Sequence, residues 1–140
     1  MRRRTRGREL ALKYLFSRET GGRWGEDDFE RFGADQERDA DARAFARELI
    51  DGICPMRQEL MSLIESTARN WSWRRMPAVD RAILLIGTYE LLARPDIPPT
   101  VTINELVELA KKYSTAASGG FVNGVLDSIN KSHCAREGKE

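Results

Sequence analysis

Apolar residues recur at three- and four-residue steps in block after block of this chain, and nowhere does an apolar–polar alternation persist for more than a few residues. Such spacing lays an apolar stripe along a helix, whereas a strand needs a period of two. Leu10, Ala11, Tyr14 and Leu15, flanked by Leu12 and Phe16, mark a first helix to about Glu19, stopped by Gly21-Gly22. Phe45, Ala46, Leu49, Ile50 and Ile53 mark another from Ala42, which Pro55 is expected to end or bend. Met56, Leu60, Leu63, Ile64, Thr67 and Trp71 continue the pattern. Pro77 suits a first helical turn, and Val79, Ile83, Ile86, Leu91 and Leu92 carry the most apolar helix to about Ala93.

Pro95, Pro98 and Pro99 forbid helix where they stand, and Thr102-Ile103-Asn104-Glu105 matches a capping box opening the next helix. Val107, Leu109, Ala110 and Tyr113 follow; Ser118 reads as the cap of a last helix carrying Phe121, Val122, Val125, Leu126 and Ile129. The acidic stretch 23–41 holds only isolated anchors, Trp24, Phe29 and Phe32, with room for a short helix around Asp27 to Phe32. The chain is predicted to be all-α, a single-domain bundle of about six or seven helices.

At 140 residues there is room for one core and little more. Hydrophobic residues at 41% and charged residues at 32% argue against wholesale disorder. The longest apolar stretch, Ala82 to Ile86, falls far short of the roughly 18 to 20 residues that span a membrane, so no membrane partner is expected. The basic N-terminus leads into no apolar run of signal-peptide type, and a cytoplasmic location follows. Cys54 and Cys134 have no metal-ligand spacing and read as free thiols.

The net charge of +1 hides an asymmetry. Residues 1–8 carry Arg2, Arg3, Arg4, Arg6 and Arg8 with no acid, while 26–41 carry Glu26, Asp27, Asp28, Glu30, Asp35, Glu37, Asp39 and Asp41 against Arg31 and Arg38. Guanidinium groups pair with phosphates bidentately and stack on unpaired bases, so a basic arm at 1–8 ahead of a helical domain at 9–131 and a polar tail at 132–140 suits single-stranded RNA. About four arginine–phosphate contacts give a log–log salt slope near −3.

Catalytic readings fail for want of parts. His133 lies in the polar tail without a fixed neighbour. Gly119-Gly120 with Gly124 superficially suggests a phosphate loop, but Val125 and Leu126 stand where its lysine and hydroxyl residue belong, and no strand precedes it. No catalytic residue, metal or cofactor is expected.

The order of several blocks is more specific than any of these features. Arg8-Glu9-Leu10-Ala11-Leu12, then Pro77-Ala78-Val79-Asp80-Arg81-Ala82-Ile83-Leu84 with Tyr89-Glu90-Leu91-Leu92, resemble the opening and central helix of the NusB family. Asp96-Ile97-Pro98, Ile103-Asn104-Glu105, Glu108-Leu109-Ala110-Lys111-Lys112 and Phe121-Val122-Asn123-Gly124-Val125-Leu126-Asp127 follow in family order.

That resemblance implies two packed helical halves and a non-enzymatic role. It implies binding of boxA-type RNA together with NusE, a small-subunit ribosomal protein, and joining of the RNA polymerase antitermination complex during ribosomal RNA transcription. Carried over by position, Arg4, Arg6 and Arg8, with Arg2 and Arg3 beside them, fall in the RNA-binding segment, and Phe121 and Asn123 at the RNA-facing start of the last helix. Asp80, Phe16 and Tyr89 fall on the partner-protein side; Phe16 stands where many members have tyrosine. Two departures, Leu85 for a frequent arginine and Gly120 for a frequent lysine, remove positive charge, for which Arg2, Arg3, Arg74 and Arg75 are the available compensation.

Two alternatives differ in class. One is a helical protein-interaction module, with a possible homodimer and little RNA specificity, recognisable by salt-insensitive or absent RNA binding. The other is an RNA-binding appendage of an RNA methyltransferase; a chain reaching only Glu140 after Ile129 reads instead as a stand-alone factor.

Overall fold

Among the described residues six α-helices make up the architecture, and the fourth is its axle. The computed structural model describes residues 2–21 and 28–134; Trp24, Glu26, Asp27, Gly22 and the tail from 135, all used above, lie outside the described residues. The helices are α1 (Arg3–Thr20), α2 (Phe29–Gln36), α3 (Ala40–Thr67), α4 (Ala78–Ala93), α5 (Pro99–Tyr113) and α6 (Ala116–Ile129). A 3₁₀ turn, Trp73–Arg75, lies between α3 and α4, and a π-helical turn, Asn130–Cys134, follows α6. There is no strand among the described residues.

The order produces two halves, α1–α3 and α4–α6, and α4 packs against α1, α3, α5 and α6. Every residue from Ala82 to Thr88 is buried, as its near-continuous apolar run requires. At Gly52 of α3 a Cβ would overlap the Tyr89 ring of α4, so the missing side chain sets how closely these two helices approach.

Several boundaries differ from the sequence expectation, each for a local reason. Helix α1 begins at Arg3, so the arginines form its first two turns. Helix α3 runs 28 residues straight through Pro55. Pro55 and Asp51 are both exposed, so the carbonyl that loses its donor lies on the solvent side, while Ile53, Leu60 and Ile64 keep one buried stripe. The Asp39 carboxylate caps its start, accepting from the amides of Asp41 at 2.9 Å and Ala42 at 3.4 Å.

Helix α5 starts at Pro99, three residues before the supposed capping box, because proline is favoured at a first helical position. Thr102 and Glu105 therefore lie inside the helix. At α6 the cap is Thr115, whose hydroxyl accepts the Ser118 amide at 3.0 Å, and not Ser118 itself. Pro77 precedes α4 in extended conformation instead of occupying its first turn.

Candidate nucleic-acid and partner interface

The N-terminal arginines divide by their helical positions. Arg8 points inward and is 2% exposed. Its Nε donates to Glu90 at 2.7 Å and its Nη2 to the other Glu90 oxygen at 3.0 Å; Nη1 reaches Glu105 at 3.4 Å. The Thr102 hydroxyl also donates to Glu90, at 2.6 Å, and the Thr5 hydroxyl to Glu105, at 2.8 Å. A buried charge is tolerated when paired and fully hydrogen-bonded, and this set does both while tying α1 to α4 and α5. Arg8 is thus an internal strut, and its guanidinium is not offered to a ligand.

Arg2, Arg3 and Arg4 are exposed and Arg6 half-buried. Three of the four meet carboxylates of their own chain. Arg3 lies 3.5 Å from Asp39 and 3.4 Å from Asp41, Arg4 lies 3.6 Å from Asp96, and Arg6 pairs with Glu37 and, at 4.0 Å, with Asp39. The acidic stretch is therefore folded against the basic helix. Burial opposes the charge on Glu37, yet the Asp39 amide and the Arg6 guanidinium outweigh it and hold the carboxyl below its ordinary range.

Near the start of α6, Phe121 is half-buried and meets the Trp71 ring edge-on, with centroids 6.2 Å apart. Trp71, Pro77, Asp80, Ala117, Ser118 and Phe121 line a hollow of about 200 Å³. Asp80 is 3% exposed; the Ser118 hydroxyl donates to one carboxylate oxygen at 3.2 Å, and the other has no hydrogen-bond partner. Burial pushes its carboxyl up, partly offset by the Ser118 and Ser114 hydroxyls. Asn123 is exposed two residues on.

Phe16, 39% exposed, lines a second hollow of about 270 Å³ with Leu12, Lys13, Val79 and Tyr113. Val79 and Asp80 are consecutive on α4, so one helix start serves both hollows. Tyr89, by contrast, is half-buried against Gly52, away from both lining sets. Leu85 is wholly buried, so no surface charge is lost there; Gly120 is exposed with open space around it.

Trp71 was the residue that periodicity misread. It continues the spacing of α3, but that helix ends at Thr67 and leaves it 45% exposed in a loop. The overlooked signal is compositional: between Glu65 and Asp80 the sequence has Arg69, Arg74 and Arg75 and no acid.

No group of His, Cys, Asp and Glu side chains suited to a metal ion occurs among the described residues, and no helix there is long and apolar enough to cross a membrane. Residues 5–131 match the model of the NusB family. The chain is 45% identical over 124 residues to the transcription antitermination protein NusB of Geobacter sulfurreducens, covering 88% of this chain and 90% of that one. Its fold is similar to that of T. maritima NusB, with a TM-score of 0.84, 40% identity, and 98% and 96% of the two chains covered. It is similar also to a chain in the crystal structure of antitermination factors NusB and NusE in complex with dsRNA, with a TM-score of 0.81, 31% identity, and 95% and 99% covered. A match across nearly the whole helical domain, at this identity and with this arrangement of helices, means that the chain belongs to the NusB family.

Proposed function

We propose that this chain is a transcription antitermination factor that binds boxA-type single-stranded RNA together with NusE and joins RNA polymerase during ribosomal RNA transcription, in the cytoplasm. The role is non-enzymatic, as in its family. The observation that carries the reading is the family match over residues 5–131, which takes in α1 from Thr5 onward, with Arg6 and Arg8, and the Phe121–Asn123 segment.

In this reading Arg2, Arg3, Arg4 and Arg6 engage phosphates, and Phe121 and Asn123 engage bases at the rim of α6. Arg8 contributes by holding α1 in place. Phe16 offers NusE an aromatic face, Asp80 supports the adjoining start of α4 from within, and Tyr89 acts through the α3–α4 contact.

The test is fluorescence anisotropy of a boxA-like single strand, a scrambled strand and a boxA duplex, with and without NusE, across a salt series. The expected outcome is preference for the boxA single strand, tightening with NusE, and loss on replacing Arg2, Arg3, Arg4 and Arg6 by alanine. Equal weak binding to all three RNAs would refute it.

A further inference from the structure

Arg69, Arg74 and Arg75 are exposed, and none has an ion pair among the described residues. That sets them apart from Arg3, Arg4 and Arg6, whose charges already face carboxylates. They share a short loop with Trp71, whose 45% exposure leaves ring surface open beside Phe121.

The loop is built, not loose. Trp73 is 6% exposed and its amide donates to the Glu65 carboxylate at 2.7 Å. Arg81 donates to the carbonyls of Met76 at 2.8 Å and Trp73 at 3.4 Å, and is itself held by Glu19 at 2.8 Å. The amides of Trp71, Arg75 and Met76 close local turns onto Ala68, Ser72 and Trp73. A loop already held in shape loses little entropy when it binds.

Three unneutralised guanidinium groups attract a polyanion, and an open indole beside a second ring offers a stacking surface. The hollow between the rings is lined by Asp80, one of whose carboxylate oxygens lacks a donor. It suits a ligand that brings N–H groups, as the edge of a nucleobase does. Phosphate charge, a flat ring and N–H donors together describe an unpaired nucleotide segment.

We propose that the α3–α4 loop is an RNA-contacting element in its own right: Trp71 stacks on an unpaired base at the hollow it shares with Phe121, and Arg69, Arg74 and Arg75 take the flanking phosphates. This rests on the RNA-binding reading above and adds a second contact zone to the arginines of α1.

The test compares the native protein, Arg69→Gln/Arg74→Gln/Arg75→Gln, Trp71→Ala and Trp71→Phe for boxA-like single-stranded RNA across a salt series, with far-UV circular dichroism as the folding control. Removing three phosphate contacts is expected to flatten the log–log salt slope by about two. Trp71→Ala is expected to lower affinity roughly tenfold or more with the slope unchanged, and Trp71→Phe to recover most of it, because stacking depends on ring area and not on charge. If the native protein binds RNA while the triple variant and Trp71→Ala match it in affinity and slope, the loop proposal is overturned and the loop is left to a protein partner. If the native protein binds no RNA, the underlying reading falls, and the loop proposal with it.

Discussion

Arg8 and Glu90, 82 residues apart in the chain, are joined by two parallel hydrogen bonds at 2.7 and 3.0 Å inside the molecule. Removing one partner of a buried pair leaves the other charge uncompensated, so Arg8→Ala is expected to cost about 3–5 kcal/mol. Urea unfolding measures it. Once affinity is corrected for the folded fraction, the RNA salt slope should match the native one, because Arg8 does not reach the surface.

A steric contrast between two glycines gives a second expectation. At Gly52 a Cβ would overlap the Tyr89 ring, whereas at Gly120 it would enter open space. Gly52→Ala should therefore destabilise by about 1–3 kcal/mol through forced repacking. Gly120→Ala should stabilise by roughly 0.5–1 kcal/mol by reducing the freedom of the unfolded chain. Equal effects at the two sites in chemical denaturation would contradict this geometry.

Gly120→Lys carries the same point into function. A lysine there gains helix propensity and puts a cation beside Phe121. RNA affinity should rise, with the log–log salt slope steeper by about 0.7. Phe121→Ala should instead weaken binding by about 1–3 kcal/mol without altering that slope. Anisotropy titrations at several salt concentrations separate the two behaviours.

Asp80 should leave a mark on the acid side of the stability profile. Its carboxyl is raised by burial, with the Ser118 and Ser114 hydroxyls pulling the other way. The folded state therefore holds this proton more tightly than the unfolded state. Its contribution is fully present below the ordinary aspartate value of 3.8 and is lost as pH rises through the folded value. Asp80→Asn removes that loss, so its melting temperature relative to the native protein should climb between pH 4 and pH 7. A constant difference across that range would contradict it.

How much of this was legible in the sequence depended on distance along the chain. Helix α4 was readable from Val79 to Leu92 because its apolar run is local. Helix α3 was not readable as one piece, since Pro55 is a local breaker whose tolerance depends on which side of the helix faces solvent. The inward turn of Arg8 was hidden because Glu90 and Glu105 are remote, and Thr102 and Glu105 look like a capping box until that network is seen. The pairing of Arg3 and Arg6 with Asp39 and Glu37 was likewise hidden, as two opposite charge runs read as a field and not as a contact. Phe121 and Asp80 were singled out through family position alone; the exposed loop position of Trp71 was not readable, because its spacing imitates a helix that has already ended.

Helix α3 also acts as a ruler. Its 28 residues, at about 1.5 Å each, make a rod of roughly 42 Å. Arg3 is paired with Asp39 at one end, and the Trp73 amide is bound to Glu65 in the last turns at the other. The two basic zones are thus held near opposite ends of one stiff element. An oligonucleotide too short to cover that distance can occupy only one of them, and the minimum length at which affinity jumps would report the span of the footprint.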